Sequence, residues 1–463
     1  MKHIFRWATL VLVLAVLAVP SSVRADIAPP SHPPGANLEP GAESTEVRMV
    51  AETVLIEIIP NNDPYNLGQA KVTANFTMRN LGSATEKLAV RFPVSSNNGF
   101  GGFPELKDMK VKVDGEIVTM SQVFEEDPLW SSDPVPWMRF NASFPPGQDI
   151  QIQVTYLLDG TGEYPYVAYY YILHTGAGWK DTIGSADIIV RFPYEANQFN
   201  VIFDEQIGWS STTTGGVIDG REVKWHYDDL EPDRSNDFEL SIVNPAVWQS
   251  VLRERSNLQT NPNDGESWGR LGKLYKEIFF YRRDFRRDTG GKQLYPMSIE
   301  AYEKAVALKP DDALWHAGFA DLLAVHAYYS SWEGGDTTGE MLRSMQEIHR
   351  ALELSPDDPK VKEIAETVYY LFPGAIDLLE SGYDFLWLTA TPEPPTPTTA
   401  PIEPSMTPQA TTPPLSTATV VPALAGETQP TPTTVPSARN PLCGSAALAP
   451  LALVWFARRK VHS

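Results

Sequence analysis

EKAVALKPDD at residues 303–312 and HRALELSPDD at residues 349–358 are one element written twice, 46 residues apart. Each copy runs at helical spacing and ends in proline, which cannot continue a helix. Two aspartates follow each proline (Asp311, Asp312, Asp357, Asp358) and are placed to cap a following helix. The periodicity changes to 3.6 after Asn244-Pro245, so residues 246–388 are expected to be helical hairpins in series.

Upstream of the first copy, Trp268, Leu271, Gly272 and Tyr275 have the spacing W-x2-LG-x2-Y. Ser298, Tyr302, Ala305 and Pro310 then follow as small-x3-aromatic-x2-Ala-x4-Pro. The second unit repeats this with Phe319, Ala320 and Leu323, then Ser344, Ile348, Ala351 and Pro356. The pattern resembles the tetratricopeptide repeat. The resemblance implies paired helices that approach closely at the small positions. It also implies a groove lined by the first helices, with Lys273 and Lys276 near it, and a protein partner.

Two departures stand out. Tyr275 to Ser298 is 23 residues and Leu323 to Ser344 is 21, where the family has about 9. Insertions of 14 and 12 residues are therefore expected between the paired helices. The Trp position of the second unit holds His316, with Trp315 beside it. Residues 246–259 read as a leading helix, 360–370 as a closing helix, and 374–388 as a further one. The first insertion carries Arg282, Arg283, Arg286, Arg287 and Lys292, a basic cluster in an acidic chain. It reads either as a docking site for an acidic peptide or glycan, or as arginines that pair with acids of the preceding region.

Residues 45–245 alternate with period two. In KVTANFTMR, Val72, Ala74, Phe76 and Met78 point one way, and in DIQIQVTY so do Ile150, Ile152, Val154 and Tyr156. Asp114-Gly115 and Asp219-Gly220 mark tight hairpins. Further strands are expected near 47–59, 86–93, 137–144, 166–174, 185–192 and 199–203. The pattern predicts a β-sandwich, and two small lobes split near 160 fit it equally. Within this region YVAYYYILHTGAGWKDTIGSADIIVRFP, residues 166–193, resembles an uncharacterised family of secreted bacterial β-domains, over about 150–245. Tyr164, Tyr166, Trp179 and Trp209 are either a stacking platform for sugar rings or core aromatics. Asp228, Asp229, Glu231, Asp233 and Asp237 form an acidic run without the Asp-x-Asp-x-Asp-Gly order of a Ca²⁺ loop.

The ends speak of location. Lys2 and Arg6 precede an apolar core from Ala8 to Val19, and Val23-Arg24-Ala25 predicts cleavage before Asp26. Residues 1–25 thus read as a signal peptide and 26–44 as a flexible leader. Residues 389–441 read as a disordered, extended stalk, since 391–441 hold 14 prolines and 13 threonines. Leu442 to Ala457 is a short apolar segment followed by Arg458-Arg459-Lys460. It resembles a bacterial C-terminal sorting signal processed at Cys443-Gly444, and reads equally as an uncleaved membrane anchor.

The formal charge is −21. Residues 26–245 carry 32 acidic against 14 basic side chains, and 246–388 carry 23 against 16. This surface argues against nucleic acid as partner. Cys443 is the one cysteine, so no intramolecular disulfide forms. HExxH and a phosphate loop are lacking, no GxSxG elbow between a strand and a helix is expected, and no cofactor is implied. The expectation is a multidomain β + α protein, exported and non-enzymatic, that binds a protein through its helical repeats. Two alternatives are a polysaccharide-binding β-region and a carboxylate-type hydrolase, whose acid pair would leave no local signature.

Overall fold

The computed structural model describes residues 45–94, 106–125, 135–203, 212–281, 289–332, 334–372, 375–379 and 382–385. Among these, a sheet-rich region is followed by six helices and a short hairpin. The stretches read as signal and leader, the Pro/Thr segment and the apolar tail, with Ala25, Asp26, Cys443 and Gly444, lie outside the described residues.

The large sheet contains β1 (Val47–Ile58), β2 (Gln69–Asn80), β4 (Lys107–Val113), β5 (Glu116–Ile117), β8 (Asp149–Asp159), β10 (Ile183–Arg191), β11 (Val217–Asp219) and β12 (Glu222–Leu230). Its order is β11-β12-β10-β1-β2-β8-β4-β5. Strands from both sides of residue 160 share it, so the region is one lobe. The alternating residues do what a half-wet sheet requires: Val72, Ala74, Phe76 and Met78 are fully buried. Asp114 and Gly115 both have positive φ (50° and 85°), the conformation a two-residue hairpin with right-handed twist needs. The pairing of β1 with β10 is parallel and long-range. Residues 199–203 supply only an isolated bridge, Val201 to Ile242, in place of the expected strand.

Two small sheets cover the buried face. One joins β3 (Glu86–Pro93), β6 (Ser121–Glu125) and β7 (Val135–Phe144); the other pairs β9 (Tyr166–Tyr171) with β13 (Phe238–Val243). Phe92 of β3 meets Tyr156 of β8 at 5.6 Å, and Phe238 of β13 meets Trp225 of β12 at 4.9 Å. These contacts make two layers around one core.

A bulge in β1 has a visible consequence. The register slips between Met49 and Ala51, which turns Glu52 inward, to 1% exposure. Tyr171 Oη donates to Glu52 Oε1 at 2.7 Å. Gly184 of β10 lies against the bulge, where a Cβ would stand 2.4 Å from Val50 O. Only glycine admits that approach.

The helices are α1 (Pro245–Thr260), α2 (Gly265–Tyr281), α3 (Thr289–Leu308), α4 (Ala313–Ser331), α5 (Thr338–Leu354) and α6 (Pro359–Leu371). Their starts are written in the sequence. Asn244 caps α1, Asp312 caps α4 and Asp358 caps α6, each accepting from backbone N–H groups of the first turn. Asp311 and Asp357 instead pair with Arg350 and Lys362.

The two hairpins α2–α3 and α4–α5 repeat one contact. Ser298 Oγ donates to Gly272 O at 2.8 Å, and Ser344 Oγ donates to Ala320 O at 2.8 Å. The described part of the two insertions is helical for most of its length. These described residues lengthen the paired helices, and Ile278, Phe279 and Leu294 in that added length are buried.

Residues 376–385 correct an expectation. They form a hairpin, β14 (Ile376–Leu379) and β15 (Gly382–Phe385), where a helix was expected. Gly382, at φ +130°, takes a backbone conformation no helix contains.

Cores join across the β/α boundary. One apolar cluster runs from β1 through Trp248 of α1 to Phe319, Leu322 and Leu323 of α4. The opposite side of α4, Ala313, Ala317, Ala320, Ala324 and Ala327, builds a second cluster with α5, α6 and the last hairpin. Gly269 of α2 shows how tight the stacking is: a Cβ there would sit 2.3 Å from the Trp315 ring. Gly269→Ala should therefore destabilise by about 1–3 kcal/mol from overpacking, although alanine favours helix by about 1 kcal/mol. Chemical denaturation decides; a variant at least as stable as the parent means the two helices are not so closely packed.

Candidate functional site

The lengthened end of the first hairpin is where the β-region docks. Tyr164 Oη donates to Glu277 Oε2 at 2.5 Å, and Tyr166 Oη to Ile278 O at 2.5 Å. Gln198 Nε2 donates to Gln293 Oε1 at 2.9 Å. The hydroxyls of Tyr164 and Tyr166 are therefore committed to this seam. Trp179 is 5% exposed and packs edge-on against Phe144, so it offers no face to a sugar. Trp209 lies outside the described residues, as do Arg282, Arg283, Arg286 and Arg287.

The two lysines separate. Lys273 is exposed and stands 3.9 Å from Glu277. Lys276 is buried, and its Nζ lies 2.8 Å from Asp321 Oδ2 on α4. Burial pulls the Lys276 pKa down, but the charges of Asp321 and then Tyr302 outweigh it, and the net direction is up. Burial pushes the Tyr302 hydroxyl up to about 12, against the pull of Lys276. Lys276 is thus a brace between the first helices of the two hairpins, and no groove cation.

The repeat-signature residues are structural. Leu271, Tyr275, Tyr302, Ala305, Ala320 and Ala351 are buried. Trp268 Nε1 donates to Pro262 O, and Lys304 lies 4.1 Å over its ring. Pro310 and Pro356 are exposed at the helix ends. His316, in the Trp position, is buried with both ring nitrogens on acceptors, Glu347 and Pro310 O. The acidic run disperses: Asp229 pairs with Arg48, Asp228 with His226, and Asp237 with His174. Among the described residues no three His, Cys, Asp or Glu side chains are grouped to hold a metal ion.

Sequence reasoning missed a group of rings at the end of α4. Tyr328, Tyr329 and Trp332 contact one another at 5.2–5.4 Å, with Tyr329 37% and Trp332 51% exposed. It also missed Tyr65, 74% exposed and stacked on Tyr164. Neither belongs to an alternating or heptad pattern that would have marked it. Among the described residues no helix is long and apolar enough to cross a membrane.

No family model matches the chain, and no curated protein does. Among solved structures, it is similar to a provisionally named nutrient binding protein of Legionella pneumophila, 17% identical, with a TM-score of 0.40, covering 58% of this chain and 98% of that one. It is also similar to an M1 zinc metallopeptidase of Deinococcus radiodurans, 8% identical, with a TM-score of 0.24, covering 43% of this chain and 42% of that one. These likenesses are loose, and function rests on the residues.

Proposed function

We propose that this chain is an exported, non-enzymatic binding protein that presents tetratricopeptide-like helices to a protein partner. The observation that carries the reading is the repeated cross-helix contact, Ser298 to Gly272 and Ser344 to Ala320, in two hairpins of matching sequence. Hairpins that repeat one contact hold their outer faces at fixed spacing, which is what a recognition surface needs. The β-region shares a core with the first hairpin and acts as a rigid base. Tyr329 and Trp332 are exposed aromatics of the kind enriched where proteins meet. In this reading residues 1–25 are removed before Asp26, 389–441 serve as a spacer, and 442–463 provide attachment at the envelope.

The test is made on intact cells. A photoreactive phenylalanine replacing Tyr329 in the full-length chain should crosslink to a discrete protein partner, and the product should begin at Asp26. A chain that is crosslinked only after lysis, or that yields no adduct, removes the reading.

A further inference from the structure

We infer that Tyr65 and Tyr164 form a stacking subsite for a pyranose ring, at the seam between β-region and helices and independent of the protein-contact surface. The two rings lie 5.4 Å apart at 29°, and Tyr65 is 74% exposed. A single exposed aromatic is ordinary. This one is held in place from both sides.

Above, the loop that carries it is tied down by side chains. Asn61 Nδ2 donates to Asp63 O at 2.9 Å and to Asn66 O at 2.5 Å. The Tyr65 backbone N–H donates to Asp63 Oδ1 at 3.0 Å, and Gly68 N–H to Asn66 Oδ1 at 2.8 Å. Asn244, the cap of α1, donates to Pro64 O at 3.3 Å and to Asn66 O at 3.0 Å. Below, the Tyr164 hydroxyl is fixed by Glu277. The open face of Tyr65 is therefore set before any ligand arrives, which spares the ordering cost of binding.

The surroundings select the ligand class. Polar side chains adjoin the stack: Asp63 and Asn66 flank Tyr65 in the loop, and Glu277, which accepts from Tyr164 Oη, stands 3.9 Å from Lys273 on α2. A flat ligand that is apolar throughout would strip water from these groups without replacing it. A pyranose with equatorial hydroxyls has an apolar C–H face for the ring and hydroxyls at its edge for these polar groups. A proline-rich peptide would stack as well, but it has no edge hydroxyls to offer.

Titration of the full chain with cellohexaose, chitohexaose and maltohexaose tests this, with decaproline as the contrasting probe. One of the hexaoses should bind. Tyr65→Ala should weaken that binding about tenfold, while Tyr65→Trp, which keeps a stacking face, should retain it. The Tyr65 side chain is exposed, so both variants should unfold like the parent. Failure of all three sugars to bind, binding indifferent to Tyr65→Ala, or binding of decaproline in their place overturns the inference.

Discussion

Trp248→Ala should lower the stability of the entire described fold by about 3–5 kcal/mol, the usual cost of deleting a large buried ring. The site is 1% exposed. Trp248 belongs to the first helix, yet its ring centroid lies 6.4 Å from that of Tyr194, with the Arg255 guanidinium 5.5 Å over it. It sits in one cluster with Leu240 and Ile242 of β13 and with Leu271 and Tyr275 of α2. Its Nε1 has no hydrogen-bond partner among the described residues, so the loss is one of packing rather than of a hydrogen bond. Because the core is continuous, urea unfolding followed by helical circular dichroism and by β-region tryptophan fluorescence should shift together. A helical signal that moves alone would mean that the two regions unfold independently, and the shared base would be lost as an idea.

Much of this was legible because burial of one face writes a period into the chain. Val72, Ala74, Phe76 and Met78 could be read inward because nothing else explains their spacing. The hairpin caps could be read because Asp312 and Asp358 follow a helix-ending proline. What could not be read is partnership. Alternation says that β1 is a strand, but not that β10 lies parallel beside it. The slip at Val50 that buries Glu52 leaves no mark in composition. Tyr166 and Lys276 were legible as an aromatic and a cation with work to do, but not as residues facing a neighbouring element. Tyr166 had been open to reading as a sugar platform and Lys276 as a groove contact; each instead bonds across a packed surface. The stretch 376–385 misled because its apolar runs are only a few residues long, a length at which helix and strand look alike.

The brace between hairpins gives the other large effect. Asp321→Ala should cost about 3–5 kcal/mol, since it leaves Lys276 buried without its counter-charge. The side chains are 10% and 19% exposed, and the acceptors left beside Lys276 are the Tyr302 hydroxyl and Gly318 O, the latter 3.5 Å from Nζ. Lys276→Met combined with Asp321→Leu should recover most of the loss, because a desolvated pair and an apolar pair of similar volume come out close in free energy. The sign of the pH dependence follows from the raised folded-state pKa of Lys276. The contribution is complete below the unfolded value of about 10.4 and is lost as pH rises through the folded value. Tyr302, lifted to about 12, acts in the same direction by favouring its neutral form in the fold. Stability should thus be flat in this respect at neutral pH and fall above about pH 10, less steeply in the double variant, where only Tyr302 remains. A double variant no more stable than Asp321→Ala alone would mean that the damage is a cavity and not an orphaned charge. The spacing of α2 and α4 would then rest on apolar packing such as that of Gly269 against Trp315.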